Sequence, residues 1–134
     1  MAQTMLIRVM VVDPVAARRK HICELLLPLP DMEVVGVARD GAESIRLAGV
    51  LGPEAIVFDP DLSFAESLQT IKTLAANLPA ARIILLTASS DTDYLRAAML
   101  AGVRSFLAQP PKLSDLVETI RRAIPDEQSP HALP

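Results

Sequence analysis

The chain has 134 residues, of which 51% are hydrophobic, so it can form one domain around one core. A formal net charge of -3 argues against nucleic-acid binding through bulk charge, and no apolar run approaches the roughly 20 residues of a membrane helix. The lone cysteine, Cys23, rules out an internal disulfide and suits a reducing compartment. We therefore expect a cytoplasmic domain that binds neither nucleic acid nor membrane directly.

Five short, mostly apolar runs alternate with five amphipathic stretches. The predicted strands are residues 6–12, 33–38, 54–58, 82–87 and 104–108. Continuous apolar runs are typical of strands that are buried on both faces of a parallel sheet. Between them, apolar residues recur at helical spacing, as in residues 64–78.

Residues typical of helix ends stand between the predicted strands and helices. They are a capping box of Asp40 and Glu43, candidate N-caps at Asp91 and Ser114 for the last two helices, and Gly102 at the end of the fourth helix. The basic run from Arg18 to His21 is interpreted as a solvated face of the first helix, with a docking surface for another protein as the alternative.

Strict alternation of strands and helices predicts a parallel sheet with right-handed crossovers. Five such units in this length indicate an α/β, flavodoxin-like, three-layer αβα sandwich whose strand order is 2-1-3-4-5. This domain is expected to span residues 1–124. The polar, Pro-rich residues 125–134 are expected to form a linker or a disordered tail.

Four polar residues stand at the carboxyl ends of the predicted strands. Asp13 and Asp59 follow the first and third strands, which are neighbours in this order, while Thr87 ends the fourth strand and Gln109 follows the fifth. Ligands bind at this edge of open α/β sheets. Two carboxylates there can hold Mg²⁺, or one of them can accept a phosphoryl group. Taken alone, either Asp would be interpreted as a turn or cap residue.

Several runs together resemble the receiver domains of two-component response regulators, over residues 6–124. They are residues 7–13 (IRVMVVD), 31–41 (DMEVVGVARDG), 53–59 (PEAIVFD), 82–88 (RIILLTA) and 101–107 (AGVRSFL). The resemblance implies a signalling module, not a free-standing enzyme, that receives a phosphoryl group from a histidine kinase.

The resemblance also implies a role for individual residues. Asp59 would be the phospho-acceptor, and Asp13 would be one member of an acidic metal-binding pair. Asp61 would give a backbone carbonyl to the metal. Thr87 would bind the phosphoryl oxygen, and Phe106 would move with Thr87 as an aromatic switch.

The chain departs from the family pattern at three further positions, Pro14, Gln109 and Ser63. Pro14 stands where the family has a second acidic residue, and it has no carboxylate. Gln109 stands where the family has Lys and brings no positive charge. It precedes Pro110 in a peptide bond that is usually cis in the family. Ser63 replaces a usual Pro. We therefore expect weak Mg²⁺ binding and impaired phosphorylation.

Three functions remain open on the sequence alone. The first is a conventional receiver, and the second is a degenerate receiver that acts only through protein contacts. The third, a small flavodoxin-like enzyme or ligand-binding protein, has least support because no Gly-rich phosphate loop follows the first strand.

A homodimer through the fourth helix, fifth strand and fifth helix is also possible, because both charge signs occur there. The residues are Leu100, Arg96, Arg104, Arg121 and Arg122 against Asp93, Asp115 and Glu118.

Overall fold

The structure, a computed structural model, describes residues 6–59 and 63–123. Within these two ranges, five strands alternate with five helices. In chain order the elements are β1 (Ile7–Val12), α1 (Ala16–Leu26), β2 (Met32–Ala38), α2 (Gly41–Leu51), β3 (Ala55–Phe58), α3 (Phe64–Asn77), β4 (Arg82–Thr87), α4 (Thr92–Ala101), β5 (Val103–Ala108) and α5 (Leu113–Ala123). None of the helices in these ranges is long and apolar enough to span a membrane. The predicted tail, residues 125–134, lies outside the described residues.

The strands form one sheet in the order β2-β1-β3-β4-β5, and every pair is parallel. This confirms the predicted fold and strand order. The strand bounds differ from the predicted ones by one residue at four N-terminal ends, within the usual uncertainty of element ends. Val12, the last residue of β1, lies opposite both Ala38 of β2 and Phe58 of β3. The residues that follow β1 and β3 therefore emerge side by side.

Two hydrophobic clusters cover the two faces of the sheet. Helices α2, α3 and α4 pack on one face against residues such as Met10 and Ile56, while α1 and α5 pack on the other against residues such as Val9 and Val57. Alternate residues of each strand thus enter opposite clusters, as the pleat requires. Both faces are apolar, which is why the strands read as continuous apolar runs.

The predicted N-caps of α2 and α4 are confirmed, while the prediction for α5 is wrong. The Asp40 carboxylate accepts a hydrogen bond from the Glu43 N–H (2.8 Å), and the Asp91 carboxylate accepts from the N–H groups of the first turn of α4. Ser114 does not cap α5. The Lys112 carbonyl already accepts a helical hydrogen bond from the Leu116 N–H, so Ser114 lies inside the first turn.

Two further helix ends show what the sequence pattern left open. Glu43 accepts a hydrogen bond from the N–H of Arg39 (2.8 Å), one residue before the cap, so the reciprocal bond of the capping box is displaced. Ser63 caps α3, because its hydroxyl accepts from the Glu66 N–H (3.3 Å). The serine that replaces a usual proline therefore starts the helix that follows the candidate site.

Gly102 ends α4, as predicted, and its backbone requires glycine. Its φ is 132°, and a Cβ built there would lie 2.6 Å from the Cβ of Ala75 in α3. Gly49, in the last turn of α2, has open space around the corresponding position. Gly49 can therefore serve as the control position for the same substitution at Gly102.

We expect Gly102→Ala to lower the free energy of unfolding by about 1–3 kcal/mol, because it adds both backbone strain and a steric clash. Gly49→Ala should raise it by about 0.5–1 kcal/mol, since alanine favours a helix interior. Urea unfolding of both variants measures the difference. Equal shifts of the same sign would show that Gly102 is not conformationally required.

Candidate functional site

Two buried carboxylates lie side by side at the carboxyl edge of the sheet. Asp13 is 1% exposed and Asp59 is 8% exposed. The N–H of Asp59 donates to the Val12 carbonyl (2.8 Å), and that of Asp13 donates to the Ala38 carbonyl (3.0 Å), so the sheet fixes both backbones. The predicted juxtaposition of these two residues is thus present.

One guanidinium bridges the two carboxylates. Nε of Arg18 lies 3.2 Å from Oδ2 of Asp13 and 3.5 Å from Oδ2 of Asp59, while its Nη2 lies 3.2 Å from Oδ1 of Asp13. The helix α1 begins at Ala16, so Arg18 is in its first turn and reaches back over the end of β1. The interpretation of Arg18 as part of a solvated face is therefore wrong.

Asp13 is held by further contacts with the start of α1. Its Oδ1 accepts a hydrogen bond from the Val15 N–H (2.8 Å), in the manner of an Asx turn, and its carbonyl accepts from Nη1 of Arg19 (2.8 Å). Pro14 lies between these partners and has neither an N–H nor a charge. The first turn of α1 is thus fixed against the end of β1, which also fixes the base of Arg18.

Gln109 contacts the carboxylate of Asp59. Its Nε2 donates a hydrogen bond to Oδ2 of Asp59, the oxygen that also lies beside Arg18. The Gln109–Pro110 peptide bond is cis, as predicted. The amide satisfies a lone pair of the carboxylate but contributes no charge. Arg18 is therefore the cationic partner that the described part of the site shows for Asp59.

Burial raises the pKa of Asp59 from 3.8 to about 6, because its surroundings disfavour the ionised form. The value of about 6 is the net result, because the neighbouring Asp13 carboxyl also raises the pKa of Asp59 while the Gln109 hydrogen bond and the Arg18 charge lower it. Arg18 and Gln109 thus compensate only part of the penalty of burying this acid next to another.

Of the remaining predicted site residues, Thr87 lies at the same edge, Phe106 lies within β5 and Asp61 is outside the described ranges. Thr87 ends β4, and its hydroxyl accepts a hydrogen bond from the Ser89 N–H (2.9 Å). Phe106 lies on β5 opposite Leu85 and packs, partly buried, against the cluster under α2, α3 and α4. Asp61 falls outside the described residues. The switch roles of Thr87 and Phe106 stay predictions.

A second buried polar contact lies next to the site. The hydroxyls of Tyr94, in the first turn of α4, and Ser67, in the first turn of α3, are 3.0 Å apart, and both residues are buried. Burial raises the pKa of Tyr94, and the charge of Asp59 adds to this effect. The sequence placed Tyr94 on the inner stripe of the fourth helix, but its partner in α3 carries no sequence signal.

Comparison with known proteins agrees with this geometry. The response regulator receiver domain family matches residues 9–121. The chain belongs to this family. It is 32% identical to the transcriptional regulatory protein LiaR of Bacillus subtilis and 34% identical to a protein-glutamate methylesterase/protein-glutamine glutaminase of Geobacter sulfurreducens. These alignments cover 88% and 86% of the chain but only 56% and 31% of the relatives' own lengths.

Solved receiver structures superpose on most of the chain. The response regulator domain of Thermotoga maritima CheB matches with a TM-score of 0.79 and 28% identity, over 88% of this chain and 96% of that one. A LuxR-family response regulator from Aurantimonas also gives a TM-score of 0.79, with 25% identity, over 87% of this chain and 84% of that one. These matches confirm the resemblance inferred from the sequence.

Receiver domains generally bind Mg²⁺ at the phosphorylation site. The residues described here do not fit a divalent cation. Mg²⁺ requires several oxygen ligands in near-octahedral geometry, but Pro14 supplies none and a guanidinium lies against both carboxylates. Among residues 6–59 and 63–123, no group of three or more acidic, histidine or cysteine side chains can hold a metal.

The raised pKa of Asp59 predicts a specific dependence of stability on pH. The folded state keeps the proton up to about pH 6, whereas the unfolded chain loses it near 3.8. The stability of the protein relative to Asp59→Asn should therefore fall as pH rises between these values, by on the order of 1–3 kcal/mol. Denaturant unfolding of both proteins at about pH 5 and about pH 7 measures this.

Asp31→Asn provides the control for this measurement. A hydrogen bond from Arg121 lowers the pKa of Asp31, so that carboxylate is ionised in both the folded and the unfolded state between about pH 5 and about pH 7. Its effect on stability should not change with pH there. An Asp59→Asn effect that is equally constant would contradict the raised pKa.

Proposed function

We propose that this chain is a receiver domain whose phospho-acceptor position, Asp59, is phosphorylated poorly and which transmits signals mainly through protein contacts. The observation that carries the proposal is the environment of Oδ2 of Asp59. It accepts a hydrogen bond from Gln109 and lies 3.5 Å from Nε of Arg18. A histidine kinase or another signalling protein remains the proposed upstream partner.

The chemistry of phosphoryl transfer explains why this environment matters. A carboxylate oxygen of Asp59 would attack phosphorus, the bond from phosphorus to the donor imidazole would break, and the imidazole would leave with the electron pair. Positive charge must stabilise the phosphoryl oxygens during this step. Gln109 is neutral where the family has a lysine, and its Nε2 already donates a hydrogen bond to the nucleophile, Asp59. Both features favour a slow reaction.

Substitution of Gln109 tests the proposal directly. We expect Gln109→Lys to accelerate modification of Asp59 by acetyl phosphate by on the order of 10²-fold, because it adds a cation beside the transferring group. Gln109→Met, which removes the hydrogen bond but adds no charge, should give a much smaller gain. Intact mass spectrometry of the acyl phosphate over time measures the rates.

Asp59→Asn, introduced into each of these proteins, should abolish the modification and so identify the reacting residue. A native protein that reacts as fast as the Gln109→Lys variant would overturn the proposal that phosphorylation is impaired, and would indicate a conventional receiver.

The proposed contact surface lies on α4 and β5. Leu100 is 85% exposed and Met99 is 60% exposed, and exposed Arg96 and Arg104 flank them. The two arginines of α5 form ion pairs with acidic residues of the same chain. Arg121 pairs with Asp31 (2.7 Å), in the loop before β2, and Arg122 pairs with Glu118 (2.7 Å) on the same helix. The expected surface is therefore narrower and more apolar than the sequence indicated, since Arg121 points away from it.

We propose that a second copy of the chain, or a signalling protein, binds this surface whether or not Asp59 is modified. Sedimentation should show dimerisation that is unaffected by a phosphodonor and by Asp59→Asn, because a poorly reacting site does not shift the conformational equilibrium. Leu100→Glu should weaken it, while Val50→Glu, at an equally exposed site on α2, should not. A monomer-to-dimer shift that depends on Asp59 would contradict this.

A further inference from the structure

We infer that Arg18 is a built-in cation that stands in for the divalent metal of a receiver site, so that the chain itself partly neutralises the acid pair. The inference rests on the proposed function in one respect, since it treats Asp13 and Asp59 as the acid pair of such a site. It goes further by naming the group that opposes metal binding.

The geometry places the guanidinium where a shared cation must lie. Two nitrogens of Arg18 contact both oxygens of Asp13, and one of the two also lies 3.5 Å from Asp59. A planar guanidinium suits this arrangement because its donors form a rigid fork that matches carboxylates. Arg19 fixes the same helical turn through the Asp13 carbonyl. The backbone from which the Arg18 side chain projects is thus fixed against the end of β1.

The guanidinium and a divalent ion are both positively charged, so only one of them can lie between the two carboxylates at a time. The described part of the site contains two buried carboxylates and one cation in contact with both, so half of the negative charge is already balanced. A divalent ion between the same oxygens would lie within a few ångströms of the guanidinium and would repel it strongly. Metal binding therefore requires Arg18 to leave both carboxylates.

The uncharged residues at the other two positions agree with this assignment. Pro14 supplies no third carboxylate, so the net negative charge is too small to hold a divalent ion beside Arg18. Gln109 donates an uncharged hydrogen bond to Oδ2 of Asp59, and such a donor suits an oxygen that already has a cation next to it. Both uncharged residues thus agree with a site in which Arg18 is the cation.

Variants of Arg18 with and without charge test the inference. Arg18→Met keeps an apolar stem of similar length, whereas Arg18→Lys keeps the charge. Each would be made alone and with Pro14→Asp, and Lys20→Ala, which removes an exposed charge from the same helix, is the control. Binding of Mg²⁺ is followed by calorimetry, and binding of Mn²⁺ by paramagnetic broadening of amide resonances near Asp13, without a phosphodonor.

We expect no saturable binding at millimolar metal to the native protein, to Arg18→Lys or to Lys20→Ala. Arg18→Met with Pro14→Asp should bind at least about 10-fold more tightly than Pro14→Asp alone, because the competing charge is gone. Millimolar Mg²⁺ should raise the melting temperature of the Arg18→Met variants but not that of the native protein. Equal affinities of Pro14→Asp with and without Arg18→Met, or submillimolar binding by the native protein, would overturn the inference.

If Arg18→Met fails to fold, the single variant Pro14→Asp decides the question. The absence of saturable binding at millimolar metal supports the inference, and submillimolar binding overturns it. These measurements are independent of phosphorylation. A native protein that reacts rapidly with acetyl phosphate yet binds no metal would contradict the proposed function and leave the role of Arg18 intact.

Discussion

Two carboxylates that are buried side by side need positive charge, and the rest of the site follows from this constraint. Parallel pairing of β1 with β3 brings Asp13 and Asp59 together, and hydrogen bonds to the sheet prevent their backbones from separating. Uncompensated burial of such a pair is strongly unfavourable. Arg18 supplies the charge, but only in part, since the pKa of Asp59 remains raised to about 6.

The same constraint explains why the start of α1 is so closely tied to β1. A guanidinium can balance the pair only if its helix begins at a fixed distance from the strand. The Asx-type bond from Val15 to Asp13 and the bond from Arg19 to the Asp13 carbonyl set that distance. Asp13 is thus both an acid of the site and the residue that organises the helix carrying its counter-charge.

The sequence was sufficient for the fold and for the positions of the two acids. Strand and helix alternation fixes the sheet order, and residues that follow neighbouring parallel strands must meet at one edge. Arg18 could not be assigned in this way. It lies in a basic run that is typical of a solvated helix face, and its contact depends on the loop geometry around Pro14. A basic residue five positions after a strand-end acid is the only signal for it, and it is weak. The N-cap prediction at Ser114 was wrong because α5 begins at Leu113, which places Ser114 inside the first turn.

The position of α4 depends on contacts that do not include the acid pair. At its first turn the Tyr94 hydroxyl is hydrogen-bonded to Ser67, and at its C-cap Gly102 packs so closely on Ala75 that a Cβ does not fit. Both partners belong to α3, so α4 is held against that helix at each end. In a receiver that signals by phosphorylation, the equilibrium between two positions of this region must be nearly balanced for a local charge change to shift it. Contacts at both ends of α4 favour a single position instead. They agree with the proposed function, because a surface that is preformed needs no change of charge at Asp59 to be recognised.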